Sequence, residues 1–235
     1  GGFQWPMSGR VSAPDWNPYP DCGGGLHGFL WGEGDFHLAS PFTTAKWLVC
    51  SVDPAAIVDL QSKVKFPECE VIHVGDQESA TNYVRNNGGA DRKIIGLLFS
   101  GGDRCKVVCG QGSSIKGGAH SQLSGDHNCS IVGGPYSHIA GGRGSVLSGG
   151  YLSNIIGGDY SGITGEDYSE LRGGVCSVIQ GGYRSVFEGG RRASFISYWW
   201  NLSESKKIRS EAVVVENVIQ PYVRYTCIGV KLIEA

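Results

Sequence analysis

No run of 18 apolar residues occurs anywhere in this 235-residue chain, so no membrane-spanning helix is expected. Neither sign of charge prevails. Twenty Lys and Arg stand against 22 Asp and Glu, a formal net charge of −2, which argues against a nucleic-acid wrapper or a polybasic membrane binder. The chain opens Gly1-Gly2, without Met and without a signal-like apolar segment. Such a start suits a processed, tagged or excised N-terminus, from which an export signal could have been lost. No position recurs as Asp at the nine-residue spacing of calcium-binding β-rolls, so calcium is not expected to hold the chain together. No cofactor is expected either.

What the chain has in excess is glycine, 38 residues of 235, and most of that excess is periodic. From Gly101 to Ile196 an eight-residue unit repeats twelve times without a gap, as in GGPYSHIA, GGRGSVLS and GGYLSNII. Numbering the slots from the first glycine, slot one is Gly in eleven copies, with Cys109 the exception, and slot two in ten, with Asp126 and Glu166 departing. Slot five is always small, from Cys105 and Ser113 to Ala193. Slot seven is always apolar, from Val107 and Ile115 to Phe187 and Phe195. Residues two apart on a strand face the same way. Slots four to eight therefore read as a short strand with five and seven inward, and the Gly-Gly pair as a turn in which positive φ is cheap. One such unit cannot bury its own apolar face, but stacked copies can.

The predicted fold class is mainly β: a two-sided parallel β-roll or β-helix solenoid with two octads per coil, a small α+β N-terminal domain and a C-terminal β cap. A triangular coil of three octads is the rival geometry. Six two-sided coils would make a rod of roughly 29 Å at ~4.8 Å per rung. The expected boundaries are 1–100, 101–196 and 197–235. In the first region Trp47–Val52, Ala56–Leu60, Val64–Phe66, Val71–Gly75 and Ile94–Phe99 read as strands, and Asp76–Asn87 as an amphipathic helix ending before Gly88-Gly89. In the last, Ser194–Trp200, Ala212–Glu216 and Tyr222–Glu234 read as strands, with Trp199 and Trp200 covering the final coil.

In a two-sided coil the outward slots six and eight differ by face. Odd octads show Lys106, Gln122, His138, Asn154, Glu170, Arg172 and Glu188, and also Val108, Ala140, Ile156 and Val186, so the contrast between the faces is one of charge more than of apolar content. Even octads show Ser114, Ser130, Ser148, Val132, Val146, Thr164, Val178, Gln180 and Ile196, with Lys116 the one charge. A flat, uncharged, partly apolar sheet face suits association. Val132, Val146, Thr164, Val178 and Ile196 are the candidate interface, with a homo-oligomer the expected state and a protein partner the alternative; nucleic acid and membrane are not expected. The turn slots carry Tyr136, Tyr151, Leu152, Tyr160, Tyr168 and Tyr183. Tyr136, Leu152 and Tyr168 would stack in consecutive odd coils, and Tyr136, Tyr151, Tyr168 and Tyr183 form a candidate ligand ladder, or simply edge packing.

Two further sets of residues invite chemistry. Cys22-Gly-Gly-Gly-Leu-His-Gly-Phe-Leu-Trp-Gly-Glu-Gly-Asp35 is the densest patch of reactive side chains. Cys22, His27, Glu33 and Asp35 are candidate catalytic residues, with His37 nearby; a Cys/His pair serves as nucleophile and base or as zinc ligands. No second Cys/His pair stands at ligand spacing, and a structural turn explains the glycines equally well. His120, Asp126, His127 and His138 fall on different faces and slots, so no metal is expected there. The eight cysteines are scattered or fill repeat slots, which favours free thiols and hence a cytoplasmic setting over secretion.

Gly2-Phe-Gln-Trp-Pro6, Ala13-Pro-Asp-Trp-Asn17, the Cys22–Asp35 patch, Ala45-Lys-Trp-Leu-Val49 and Lys63-Val-Lys-Phe-Pro67 resemble a largely uncharacterised family of bacterial and phage proteins. In that family a Trp/Gly-rich N-terminal domain precedes glycine-rich octapeptide repeats, and Gly190–Asn201 and Gln220-Pro221-Tyr222 match its far end. The resemblance implies the solenoid fold and little about activity. Residues Cys22–Trp31 also resemble the Gly-x-His segment of ADP-ribosyltransferase-like domains, without a placeable Tyr and late Glu. Three functions follow as expectations: a non-enzymatic structural or binding protein using its flat face, a transferase- or toxin-like enzyme with its site in 1–100, and a phage virion or receptor-binding component.

Overall fold

The computed structural model describes the backbone of residues 3–201, 206–213, 224–228 and 231–234, and the side chains of 3–198. Its contacts divide the chain into two compact units, Gly1–Leu98 with Cys109–Gln111, and Phe99–Val108 with Gly112–Ala235.

The second unit is the solenoid. Its strands are parallel and pair sixteen residues apart: Gln122 with His138, Ile139 with Ile155, Ile131 with Leu147, Ile163 with Ile179. Two octads thus make one coil, and the triangular alternative, which needs a step of twenty-four, is excluded. Odd octads form one sheet and even octads the other. The odd sheet continues into antiparallel Arg224–Ile228 and Lys231–Glu234. The even sheet pairs Ser194–Asn201 with antiparallel Lys206–Val213. The expected covering of the last coil by Trp199 and Trp200 lies outside the described side chains.

The core is what slots five and seven supply. Every slot-seven side chain from Val107 to Phe195 is at most 2% exposed. The slot-five serines are buried as well, and from Ser121 to Ser185 each hydroxyl finds a backbone acceptor. Ser137, Ser153, Ser161 and Ser169 donate Oγ–H to the slot-two carbonyls of Gly118, Gly134, Gly142 and Gly150 in the preceding coil, each at 3.3 Å. A buried hydroxyl without a partner would cost about 1–3 kcal/mol, so these bonds are what makes an interior serine column tolerable.

The turns differ from the expectation in two ways. The strands are shorter, covering slots six to eight with one added residue in places, as in Ser130–Val132 and Gln122–Gly125. Positive φ falls on slot four rather than on the Gly-Gly pair: Arg104, His120, Asn128, Tyr136, Leu152, Tyr160, Tyr168, Cys176, Arg184 and Arg192 have φ of 53–59°, and Gly112 and Gly144 have 67° and 70°. The paired glycines serve close packing instead. A Cβ on slot-one Gly149 would lie 2.8 Å from Ser153 Cβ, and one on slot-two Gly150 would lie 2.7 Å from the backbone nitrogen of Pro135.

The N-terminal unit holds two antiparallel three-stranded sheets. One orders Gly9–Ser12, Glu68–Gly75 and Trp47–Ser51; the other orders Leu26–Gly28, Val64–Phe66 and Val58–Asp59. Leu26, Val64, Phe66 and Cys69 form a core cluster. Helix α1 (Gln77–Val84) starts where Asp76 Oδ1 accepts the Ser79 amide at 2.8 Å. It passes into a wider turn over Arg85–Gly89 in which Gly88 takes φ of 107°. The strand expected over Ala56–Leu60 is reduced to Val58–Asp59, because Asp53 and Pro54 start a 3-10 turn through Ala56. The strand expected over Ile94–Phe99 is confined to Leu98–Ser100, although Ile94, Ile95 and Leu97 are buried.

Candidate functional site

The even sheet face places Val132, Val146, Thr164, Val178 and Ile196 on one surface. Register sets Val146 beside Gly162 and Gly162 beside Val178 in slot six, and Val132 beside Ser148 and Ser148 beside Thr164 in slot eight. Val146 is 62% exposed, Val178 49% and Val132 38%. A Cβ on Gly162 would meet nothing within 4 Å, so the two slot-six valines stand either side of a notch. Between Ser130 and Ile196 this face carries no charged residue in slots six and eight. The odd face is charged: Arg172 Nε lies 3.3 Å from Glu188 Oε2, and Asn154 Nδ2 donates to Glu170 Oε2 at 3.4 Å.

Along the edge made by the odd turns runs a continuous column of rings. His120 stacks on Tyr136 at 4.9 Å, and Tyr136, Tyr151, Tyr168 and Tyr183 follow edge to face at 5.8, 5.6 and 5.8 Å. The middle place expected for Leu152 belongs to Tyr151. From Tyr136 on, slots four and three alternate down the column, and each tyrosine packs against the next in the T-shaped geometry that ring quadrupoles prefer. On the other edge the Arg143 guanidinium sits 4.9 Å above the Tyr160 ring.

The turns also clamp one coil to the next. Asp103, Asp159 and Asp167, all in slot three, accept the amides of Ala119, Val175 and Tyr183 at 2.7–2.8 Å. His127 Nδ1 accepts the Arg143 amide at 3.1 Å in the same way. His120, Asp126, His127 and His138 therefore spend themselves on stacking, turn bonds and the odd face. Among the described residues, no three His, Cys, Asp or Glu side chains gather at metal-binding distance.

In the N-terminal patch the four candidate catalytic residues take separate local roles. Glu33 Oε1 accepts the Lys93 amide at 2.9 Å, and Glu33 Oε2 lies 3.8 Å from Arg92. Asp35 accepts the His37 amide at 3.0 Å and caps a 3-10 turn. Cys22 Sγ accepts from Lys63 Nζ at 3.4 Å, beside a hollow of 460 Å³ also lined by Leu38 and Asp59. His27 lies on the strand Leu26–Gly28 with its Nε2 buried and unpaired. Burial, then the Lys63 and Lys65 charges, holds its pKa below the ordinary histidine value. No hydrogen bond or ion pair joins Cys22, His27, Glu33 and Asp35 to one another among the described residues.

The residue that organises this patch is one the sequence reading passed over. Lys65 is fully buried and donates Nζ–H to the carbonyls of Asp21 at 2.9 Å and Gly23 at 3.2 Å, with Asp21 Oδ1 at 3.5 Å. The signal was present as a lysine between Val64 and Phe66, an apolar strand pair; a buried ammonium must find carbonyls. Seven cysteines are free among the described residues. Burial and the Cys50 contact push the Cys69 thiol up to about 12, which removes it as a nucleophile.

Comparison with known proteins adds one kinship. The chain is similar to ice nucleation proteins. It is 40% identical over 88 residues to that of Pseudomonas fluorescens, 41% over 85 to one of Pseudomonas syringae, and 36% over 86 to ice nucleation protein InaU of Pantoea ananas. These stretches cover 37%, 35% and 36% of this chain, but only 7%, 7% and 8% of the relatives, so the chain spans less than a tenth of their length. No protein-family profile and no solved structure matches the chain. The bacterial side of the resemblance, with its repeats, is supported; its phage side and its Trp/Gly-rich N-terminal detail are not. The expectation of a cytoplasmic setting is overturned. It rested on free cysteines alone, and the similarity to ice nucleation proteins speaks against it.

Proposed function

We propose that this chain is a non-enzymatic structural protein, built as a small α+β unit over 1–100, an octad solenoid over 101–196 and a β cap over 197–235, that self-associates through its even face. The observation that carries this reading is the absence of charge in slots six and eight of the even face from Ser130 to Ile196, with Val132, Val146 and Val178 exposed. Surfaces of this kind on otherwise polar proteins mark interaction sites. The dispersal of Cys22, His27, Glu33 and Asp35 into separate turns weighs against a transferase- or toxin-like site in the first unit. The kinship with ice nucleation proteins agrees with a repeat scaffold rather than a catalyst.

The test is the mass in solution of the wild type and of the double variant Val146→Glu/Val178→Glu, with far-UV circular dichroism to check the fold. Both side chains are exposed, so the fold should persist while the mass falls to that of a monomer. An unchanged mass, or a wild type that is monomeric at all concentrations, would remove the main support for this reading.

A further inference from the structure

The even face reads the same in both directions along the rod. Coils are numbered one to six from the N-terminal end, so that coil four carries Gly162 and Thr164. From coil two to coil six, slot six runs Ser130, Val146, Gly162, Val178, Ser194, and slot eight runs Val132, Ser148, Thr164, Gln180, Ile196. About coil four, slot six is a palindrome of residue type, and slot eight pairs apolar with apolar and polar with polar. The odd face shows no such order: its slot six runs Gln122, His138, Asn154, Glu170, Val186, and its slot eight ends in Arg172 and Glu188.

A twofold interface requires self-complementarity: if residue i meets j, then j meets i. For two sheets face to face, a twofold axis lying in the interface and parallel to the strands reverses coil order and keeps each slot facing its own kind. With that axis at coil four, Val146 meets Val178 of the second copy, Val132 meets Ile196, Thr164 meets Thr164, Ser148 meets Gln180 and Ser130 meets Ser194. We infer that the even face docks a second copy of this chain antiparallel, with Gly162 and Thr164 on the twofold axis. This deepens, and rests on, the proposal that the even face mediates self-association.

The occupant follows from chemistry and size. No charged residue lies in slots six and eight between coils two and six, so nothing on this patch selects a charged partner, whereas a second copy offers the matching pattern by construction. Five rungs at ~4.8 Å and about 10–15 Å of strand width outline roughly 300 Å² per copy. Pairing then buries on the order of 600–1,000 Å² in total, at the weak end of specific interfaces. A dimer with a dissociation constant in the micromolar range or weaker is expected.

The experiment sets two double variants beside the wild type in sedimentation velocity over a concentration series. In Val146→Glu/Val178→Glu, each glutamate faces a glutamate across the axis and the dimer is lost. In Val146→Lys/Val178→Glu, each lysine faces a glutamate and the dimer returns to within about tenfold of wild-type affinity. The restored dimer weakens as salt is raised, because its pairs are surface charges. Within one chain these two positions lie two rungs apart, ~9.6 Å, too far to pair internally. A wild type that dimerises, with both variants equally monomeric, would keep the association face but overturn the antiparallel axis. A parallel pairing places coil n on coil n and slot six on slot eight, and a half-rung shift places Val146 on Gly162; neither restores binding with this charge swap. A wild type monomeric throughout, or one unaffected by Val146→Glu/Val178→Glu, would overturn both proposals.

Discussion

Substituting alanine for Gly150 tests whether the paired glycines exist for space rather than for backbone freedom. Gly150 does not have positive φ, so an alanine there meets no conformational penalty. Its Cβ would lie 2.7 Å from Pro135 N, 3.0 Å from Pro135 Cδ and 3.1 Å from Gly134 C, all in the preceding coil, whereas ordinary contact begins at 3.4 Å. The coils must part locally by the difference, 3.4 − 2.7 = 0.7 Å, against a hydrogen bond from the Gly150 amide to Gly134 O that is already 3.4 Å long. Overpacking costs roughly 1–3 kcal/mol. Because the obstructing atoms are backbone and a proline ring carbon tied to it, and cannot rotate away, a value near the upper end, about 3 kcal/mol, is expected. At ~2–4 °C per kcal/mol for a chain of this size, that lowers Tm by roughly 6–12 °C. The matched control is Gly162→Ala, on the open face with nothing within 4 Å. Reduced freedom of the unfolded chain should stabilise it by about 0.4–1 kcal/mol. Thermal unfolding followed by far-UV circular dichroism, at a dilution where the protein is monomeric, reads both. A Gly150→Ala protein melting at or above the wild type, or a Gly162→Ala protein as damaged as Gly150→Ala, would refute the account of the glycine pair.

Two further outcomes are expected. His27 has a folded pKa below its ordinary value, chiefly through burial and then through Lys63 and Lys65, so below about pH 6.5 the unfolded chain binds more protons than the folded one and stability falls as pH drops toward the folded pKa. The urea midpoint of the wild type should therefore decline from pH 7 to 5 more steeply than that of His27→Gln, and parallel profiles would contradict the burial of this ring. Despite the kinship, droplets containing this protein should freeze no warmer than buffer, because slot six of the even face runs Ser114, Ser130, Val146, Gly162, Val178, Ser194 and offers no repeated group to order water; freezing several degrees warmer would show a template that these columns do not reveal.

The interior of the solenoid was legible because it obeys a local rule. Two inward positions, two residues apart in every octad, mark a strand whatever its neighbours do. Stacking such strands suits a coil of two octads or of three, and the pairing step of sixteen residues decides for two and so separates the odd face from the even. The turn was not legible, because its reason is not local. Tyr136, Leu152, Arg184 and His120 take a left-handed conformation that costs on the order of 1–2 kcal/mol per non-glycine residue, and propensity places the glycines there instead. The neighbouring coil overrides propensity. In that conformation the slot-four amides of His120, Tyr136, Leu152 and Tyr168 reach the slot-three carbonyls of Pro135, Tyr151, Asp167 and Tyr183 in the next coil, at 2.8–3.1 Å. The close approach that leaves no room for a Cβ at slots one and two also appears only once the coils are stacked. In the first unit, Cys22, His27, Glu33 and Asp35 were legible as residue types but not as places. Whether they converge depends on the turns among Gly23, Gly24, Gly25, Gly32 and Gly34, all with positive φ, and on Lys65 pulling the 21–23 loop inward.

What varies in the repeat bears on its use as much as what recurs. The interior is held nearly constant, with Ser or Cys at slot five in every octad but the last and an aliphatic or phenylalanine at slot seven, because each coil must fit the one before it. Outward slots are free of that demand. A rod whose outward residues were identical in every coil could pair with a copy in many registers, each one rung apart, and would form ladders rather than a defined dimer. On the even face only one slot-six position is Gly and only one slot-eight position is Thr, and both fall on the same coil. A slip of one rung puts Val146 opposite Gly162 and Val132 opposite Gln180; a slip of two puts Val146 opposite Val146 but leaves Val178 facing Ser114 and Ile196 facing the edge strand Leu98–Ser100. Among such alignments the one centred on coil four sets every exposed valine against an apolar side chain. Variation outside a constant interior is therefore the property that would let a repetitive rod choose a single register.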